Sequence, residues 1–215
     1  MKRFTLYGSP HSLPTYKVAL MLHMSDEPFS FRYVSFQKGA HKTPEFRALS
    51  RWGQVPVLVD NGRVYLQATA IVEHLAETLG RFQGSDPATR QLEREWLYWE
   101  VDVLFPPIFN CYGVQLGKQN LLPISVEPAI ADYHGRRVEA ALSVFDSHLA
   151  HESYLCSGAP TVADLVCRCD VAFAEILAID LGRWKNVSDW AARVAALPGF
   201  KPPFELLSMA DAELP

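Results

Sequence analysis

The stretch PVLVDNGRVYLQ, residues 56–67, constrains the fold more than any other part of the chain. Two short β-rich runs, PVLVD and RVYLQ, flank Asn61-Gly62. A two-residue type I′ turn needs positive φ at both central positions, and Asn-Gly tolerates that best, so the two runs are expected to pair as a tight antiparallel hairpin. One residue complicates the reading. Pro56 stands between Val55 and Val57 at the mouth of the first strand. Proline has no N–H for a ladder and belongs at strand starts, edges or bulges. The ladder is therefore expected to begin after it, with the backbone of Val55 left unpaired.

Upstream, RFTLY (3–7) is β-rich, and LPTYKVALMLHMS (13–25) has helical periodicity, with Val18, Met21, Leu22 and Ser25 on one face. FSFRYVSF (29–36) alternates as a half-buried strand does. The chain thus opens β-α-β, a parallel unit, and continues β-β-α, with the last helix over TAIVEHLAETLG (69–80) and stopped at Gly80. The two units combine into one mixed four-stranded sheet with helices packed on it.

Strand signals end near residue 66. RFQGSDPA (81–88) is rich in turn formers, and Asp86-Pro87 suits an N-cap followed by the first helical residue. ATRQLEREWLYWEVDVLF places Leu92, Trp96, Trp99 and Val103 at helical spacing, and Pro106-Pro107 should end or sharply kink that helix. The segment 126–150 reads as an amphipathic helix. Residues 159–179 are apolar on nearly every face, which predicts a buried central helix. Thr161 and Asp164 have capping-box spacing at its start. A last helix over 186–200 is stopped by Leu197-Pro198-Gly199. The expected organisation is an α/β domain over 1–80, a linker over 81–87 and an all-helical domain over 88–215.

A chain of 215 residues with 49% hydrophobic and 20% charged residues has ample material for a soluble globular core. The net charge of −4 argues against a nucleic-acid surface. No apolar run approaches the ~20 residues of a membrane span, and the N-terminal apolar run is too short for a secretory signal. A cytoplasmic protein is expected. Cys111, Cys156, Cys167 and Cys169 form no Cys-x-x-Cys and read as reduced, mostly buried small residues. The histidines have no ligand spacing with them, so no metal site is expected.

Five motifs in order carry a family resemblance. GQVPVLVDNGRVYLQATAIVEHLAE resembles the core signature of cytosolic glutathione S-transferases: a Val-Pro turn, a hairpin, then a polar pair opening a helix. LYGSPHSLPTYKV resembles the strand–loop–helix start of the serine-type classes, and KGAHKTPEFRAL the His-Lys loop of the phi class. APTVADL and DWAARVAALPGF resemble the capped core helix and the closing helix of the second domain. The resemblance spans nearly the whole chain. It implies a thioredoxin-like N-terminal domain with a mixed four-stranded sheet, an all-helical C-terminal domain, and a homodimer that joins glutathione to a small hydrophobic electrophile or reduces a peroxide.

The resemblance also implies roles. The bond before Pro56 would be cis, presenting the Val55 backbone to the cysteinyl backbone of glutathione as an added strand would. Ser12 would stabilise the thiolate, the reactive form of a thiol. Its plain alternative is an N-cap for helix 13–25. Tyr7, near the end of the first strand, is the rival hydroxyl donor. His41 and Lys42 would hold the glycine carboxylate and Gln54 the cysteinyl-glycine backbone. Gln67, Ala68 and Thr69 would meet the γ-glutamyl end. Position 68 departs from the family pattern, which has serine there. Its backbone N–H remains available at a helix N-terminus, and Thr69 either replaces the lost hydroxyl or caps the helix. The electrophile would sit between the domains, lined by Ser9, His11, Tyr112 or nearby helix residues.

Overall fold

The computed structural model describes residues 2–119, 121 and 127–215. The chain divides into two compact units, residues 1–81 with 197–215, and residues 82–196.

The first unit is built on a sheet. β1 (Phe4–Gly8) pairs in parallel with β2 (Phe29–Tyr33) and antiparallel with β3 (Val57–Asp60), which forms the hairpin with β4 (Arg63–Leu66). Asn61 and Gly62 both have positive φ, 47° and 84°, as the Asn-Gly turn requires. The four expected strands are joined by a fifth. β5 (Ala212–Leu214) pairs antiparallel with β2, giving the order β4-β3-β1-β2-β5. The expectation that strands end near residue 66 is therefore corrected. Three residues carry little strand signal of their own; β5 is held by partners far away in sequence. Lys2 donates to the Leu214 carbonyl, Ser30 to the Glu213 carboxylate, and Arg32 Nη2 to Glu213 Oε1 at 3.1 Å.

Helix α1 (Leu13–Met24) packs beside α3 (Ala68–Leu79), while a short α2 (Pro44–Leu49) lies between β2 and β3. α1 is buried on almost every side, Thr15 and Lys17 included, rather than along one stripe. Phe4, Leu6, Phe29, Phe31, Val57 and Leu58 supply the sheet's share of the core. The sequence reading missed α2, although Thr43-Pro44 carries a start signal: Thr43 Oγ1 accepts from Phe46 N at 3.3 Å and proline takes the first helical position.

The second unit is helical. α4 (Pro87–Trp99) is capped by Asp86, whose Oδ1 accepts from Ala88 N at 2.9 Å and Thr89 N at 3.0 Å. A π-helical turn (Glu100–Leu104) joins it to α5 (Phe105–Lys118). Pro106 and Pro107 are the second and third residues of α5, directly after the π-helical turn at which the regular helix α4 is interrupted. α6 (Pro128–Leu149), α7 (Val162–Ile176) and α8 (Lys185–Ala195) complete the unit. Val126, the first residue of the expected helix 126–150, lies outside the described residues. α7 is buried from Val162 through Ala174 and packs against α4, α5 and α8. Its capping box is formed: Asp164 Oδ2 accepts from Thr161 N at 2.8 Å. Trp96 and Trp99 both pack on Phe145, with centroids 5.6 and 5.7 Å away, so the pair belongs to an aromatic cluster of this unit.

Candidate functional site

The strand registers bring four loops to one end of the sheet. β1 ends at Gly8 beside Tyr33, the end of β2. β3 begins at Val57, opposite Tyr7, and β4 ends at Leu66, opposite Val57. Residues 9–12, 34–42, 54–56 and 67–69 therefore all emerge at the C-terminal end of the two parallel strands. In α/β sheets the crevice outside those carboxyl ends is where ligands bind.

The loop after β1 is tight. Ser12 N donates to the Ser9 carbonyl at 3.0 Å, and His11 N donates to Ser9 Oγ at 3.3 Å. A Cβ at Gly8 would stand 2.2 Å from Thr15 Cγ2, so only glycine lets the strand end this close to α1. Ser12 is 6% exposed and its Oγ accepts from Thr15 N at 3.2 Å, capping α1. Among the described residues this is the only hydrogen bond of the hydroxyl, and none of them accepts its proton. Tyr7 lies on the sheet face opposite the buried Phe4 and Leu6 and is partly exposed. Its hydroxyl has no hydrogen-bond partner among the described residues.

The bond between Val55 and Pro56 is cis. The β3 ladder begins at Val57, so the Val55 backbone lies ahead of it, unclaimed by either neighbouring strand. Pro56 is buried and Val55 partly exposed. Ser50 fixes the approach to this corner. Its Oγ donates to the Gln54 carbonyl at 2.9 Å and accepts from Gln54 N at 3.2 Å. Sequence reasoning missed Ser50, and no local motif marks it; its bonds reach four residues along an irregular segment. Gly53, at φ 62°, packs so that a Cβ would come 2.9 Å from the His41 carbonyl, which ties the His41 loop to the Gln54 loop.

His41 and Lys42 sit in a 3-10 turn (Ala40–Lys42). Lys42 is exposed, as are Lys38, Arg47 and Arg51 around it. The His41 ring packs edge-on to Phe36, with centroids 5.3 Å apart. Its Nδ1 is buried with no hydrogen-bond partner among the described residues. Burial, then the charges of Lys42 and Arg47, hold the ring's pKa below the ordinary histidine value. The His41 ring is therefore mostly neutral at neutral pH.

Gln67 precedes α3 with φ at 70°, an uncommon conformation for a side chain of this size. It occupies the N-cap position without a side-chain cap, so Thr69, expected as a possible cap, stands inside the helix. Gln67 Nε2 donates to Gln54 Oε1 at 3.3 Å, joining the third and fourth loops. Ala68 is nearly buried at the first helical position. Thr69 is partly buried and already has an interaction within the chain.

Of the residues expected around an electrophile, Ser9 and His11 are in this loop cluster. Tyr112 is in the core of the helical unit, edge-on to Phe173 at 4.8 Å, and burial pushes its hydroxyl up to about 12. A buried phenol of that pKa supplies no ionised oxygen at neutral pH. Among the described residues no group of three or more His, Cys, Asp or Glu is placed to hold a metal ion, and no helix is long and apolar enough to cross a membrane.

Comparison with known proteins covers both units. Residues 6–81 match the family model described as glutathione S-transferase, N-terminal domain, and residues 103–198 match the model for the C-terminal domain of the same family. Glutathione S-transferase 3 of Zea mays is 32% identical over 167 residues, 76% of this chain and 75% of that protein. Among solved structures, a glutathione S-transferase from Xanthobacter autotrophicus superposes with a TM-score of 0.84 at 30% identity, covering 94% of this chain and 98% of that one. One from Pseudomonas fluorescens also reaches 0.84, at 26% identity, covering 94% and 100%.

Proposed function

Because the chain belongs to the glutathione S-transferase family, we propose that it binds glutathione at the carboxyl end of its sheet and transfers the glutathione thiolate to a hydrophobic electrophile. The observation that carries the reading is Ser12: a nearly buried hydroxyl at the start of α1 whose oxygen accepts a backbone N–H and whose proton has no acceptor among the described residues. A thiolate placed there would receive that proton as a hydrogen bond and would face the positive end of the α1 dipole. An unperturbed thiol titrates near ~8.5, and each unit of lowering needs about 1.4 kcal/mol of preference for the thiolate. A hydrogen bond to a charged group supplies about 1.5–3 kcal/mol, enough for the shift.

In this reading the cysteinyl backbone of glutathione pairs with the Val55 N–H and C=O ahead of the ladder, with Pro56 holding that corner. Gln54 supports the cysteinyl-glycine segment. Lys42 attracts the glycine carboxylate by charge, and neutral His41 contributes a ring nitrogen instead of a second cation. Gln67 meets the γ-glutamyl ammonium, and the N–H groups of Ala68 and Thr69 face the γ-glutamyl carboxylate at the start of α3. Tyr7 is the second candidate for the thiolate donor. A serine-type, phi-like homodimer acting in the cytoplasm is the form this proposal takes, and sedimentation at micromolar concentration checks the dimer.

The test is a titration with glutathione followed by ultraviolet difference absorbance and calorimetry together. Saturable binding with a thiolate band at neutral pH is expected. Binding without the band would favour a carrier, the alternative that Ala68 supports because the family's serine hydroxyl is missing there. No binding at millimolar glutathione would end the transferase reading.

A further inference from the structure

A second group of reactive side chains lies at the opposite end of the sheet from the four loops. β3 runs from Val57, at the candidate site, to Asp60, and α3 runs from Ala68, also at the site, to Leu79. Asp60 therefore meets the second half of α3. Its Oδ2 is 3.2 Å from His74 Nε2, and Thr78 Oγ1 is 3.3 Å from His74 Nδ1. Residues four apart share a helix face, which sets the second of these contacts. The His74 ring lies flat on Tyr65 of β4, with centroids 3.9 Å and planes 16° apart, and the Arg63 guanidinium lies over Tyr65 at 5.3 Å. The imidazole is thus held by a stack and through both ring nitrogens.

The direction of the two hydrogen bonds follows from Asp60. Arg3 Nε and Nη2 donate to it at 2.8 and 3.0 Å, and the Arg3 bond above all keeps the carboxylate ionised. An ionised carboxylate only accepts, so the hydrogen of the Asp60–His74 bond sits on Nε2. In the neutral ring Nδ1 then carries no hydrogen, and Thr78 is the donor of the other bond. Helical hydroxyls commonly donate to the carbonyl four residues back. Ser143 does so to Glu139 at 2.8 Å and Ser147 to Ser143 at 2.9 Å. Thr78 makes no such bond among the described residues. Its proton is aimed at a base whose far side faces a carboxylate. Thr78 is exposed and His74 partly so, which leaves the hydroxyl open to a reagent from solvent.

We propose that Asp60, His74 and Thr78 form an acyl-accepting site, with Thr78 as nucleophile and activated esters as its substrates. A hydroxyl, a base within reach of it and a third group that orients the base are the parts such a step needs. Thr78 Oγ1 attacks the acyl carbon and forms the new C–O bond, while its proton passes to His74 Nδ1. The ester's own C–O bond breaks and the aryl oxide leaves with the bonding pair. The imidazolium, facing the Asp60 carboxylate, then returns the proton to the aryl oxide or to water. The site needs no glutathione and stands apart from the transferase reading.

The test treats the glutathione-free protein with p-nitrophenyl acetate, and places and times the acetyl groups by peptide mass spectrometry. A positioned base contributes about 10²–10⁴-fold. Thr78 should therefore be acetylated about 100-fold faster than Ser85 and Ser208, which are exposed and have no histidine bond. Thr78→Ser should keep the rate. His74→Phe keeps a ring on Tyr65 without a base, and should bring Thr78 down to the rate of those serines. Thr78 acetylated no faster than Ser85 and Ser208 in the parent would overturn the proposal, and that comparison needs no variant to fold. An unchanged rate in folded His74→Phe would overturn it too, as would an acetyl group that ends on His74. Thr78→Val should lose the acetylation at this position and still form the thiolate band with glutathione as the parent does. If the parent forms no such band but acetylates Thr78 selectively, the acyl site stands and the transferase reading falls.

Discussion

Ser12 has two jobs in this structure, and substitutions can separate them. As N-cap, its Oγ accepts the Thr15 N–H at 3.2 Å. Replacing a capping serine by alanine costs about 0.5–2 kcal/mol, whereas glycine costs only a few tenths. For a chain of this size 1 kcal/mol corresponds to roughly 2–4 °C in Tm. Ser12→Ala should therefore melt a few degrees below the parent and Ser12→Gly close to it. As thiolate donor, the hydroxyl is lost equally in both variants. Removing a hydrogen bond of about 1.5–3 kcal/mol to a charged sulfur raises the bound thiol's pKa by about one to two units. At neutral pH that reduces kcat/KM about 10- to 100-fold in each. The assays are thermal denaturation and a pH titration of the thiolate absorbance of bound glutathione. Matching pKa shifts with unequal melting temperatures are expected. A thiolate pKa that stays put in both variants, while Tyr7→Phe raises it, would refute the assignment of Ser12 and transfer the role to Tyr7.

Other outcomes follow from named contacts. Ala68→Ser, restoring a hydroxyl at the first residue of α3, should tighten glutathione binding by about tenfold, read by calorimetry. Asp60 accepts Arg3 Nε at 2.8 Å, Arg3 Nη2 at 3.0 Å and a third bond with His74 at 3.2 Å, and the Arg3 bond above all holds its pKa below the ordinary 3.8. A depressed carboxylate pKa gives stability that is present above about pH 4 and is lost as pH falls through the folded value. Arg3→Met should therefore destabilise the protein at pH 7 by about 1–3 kcal/mol and flatten the acid limb, seen in urea melts between pH 7 and 3. Asp164 is fully buried and accepts from Leu155 N, Thr161 N, Thr161 Oγ1 and Trp190 Nε1 at 2.8–3.2 Å. Asp164→Ala leaves those donors buried and unpaired and should cost about 3–5 kcal/mol in chemical denaturation, with thiolate formation unchanged in the protein that remains folded.

The parts of the fold that were legible in the sequence are those whose signals are local. Asn61-Gly62 fixes its hairpin through positive φ at adjacent residues, and Thr161 with Asp164 fixes a helix start within one turn. The helix α2 was equally readable from Thr43-Pro44. What stayed hidden is non-local. β5 pairs with a strand about 180 residues earlier in the chain, through Glu213 with Ser30 and Arg32, so no window of sequence contains its reason for being a strand. The same holds for the candidate site. The loops of Ser12, Val55 and Gln67 could be named from the resemblance, but the bond from Gln67 to Gln54 and the bracket of Ser50 around Gln54 depend on strand register.

The return of the C-terminus to the sheet sets an order of assembly on the ribosome. Residues 2–81 hold four strands and both helices that pack on each other, so most of the first unit is available before the helical unit has been translated. Its outer edge at β2, however, stays an open row of backbone groups until residues 212–214 emerge, after the entire second unit. An open strand edge is a template for pairing with other chains. The growing chain therefore leaves that edge open throughout synthesis of the second unit, and residues 212–214 close it when they emerge.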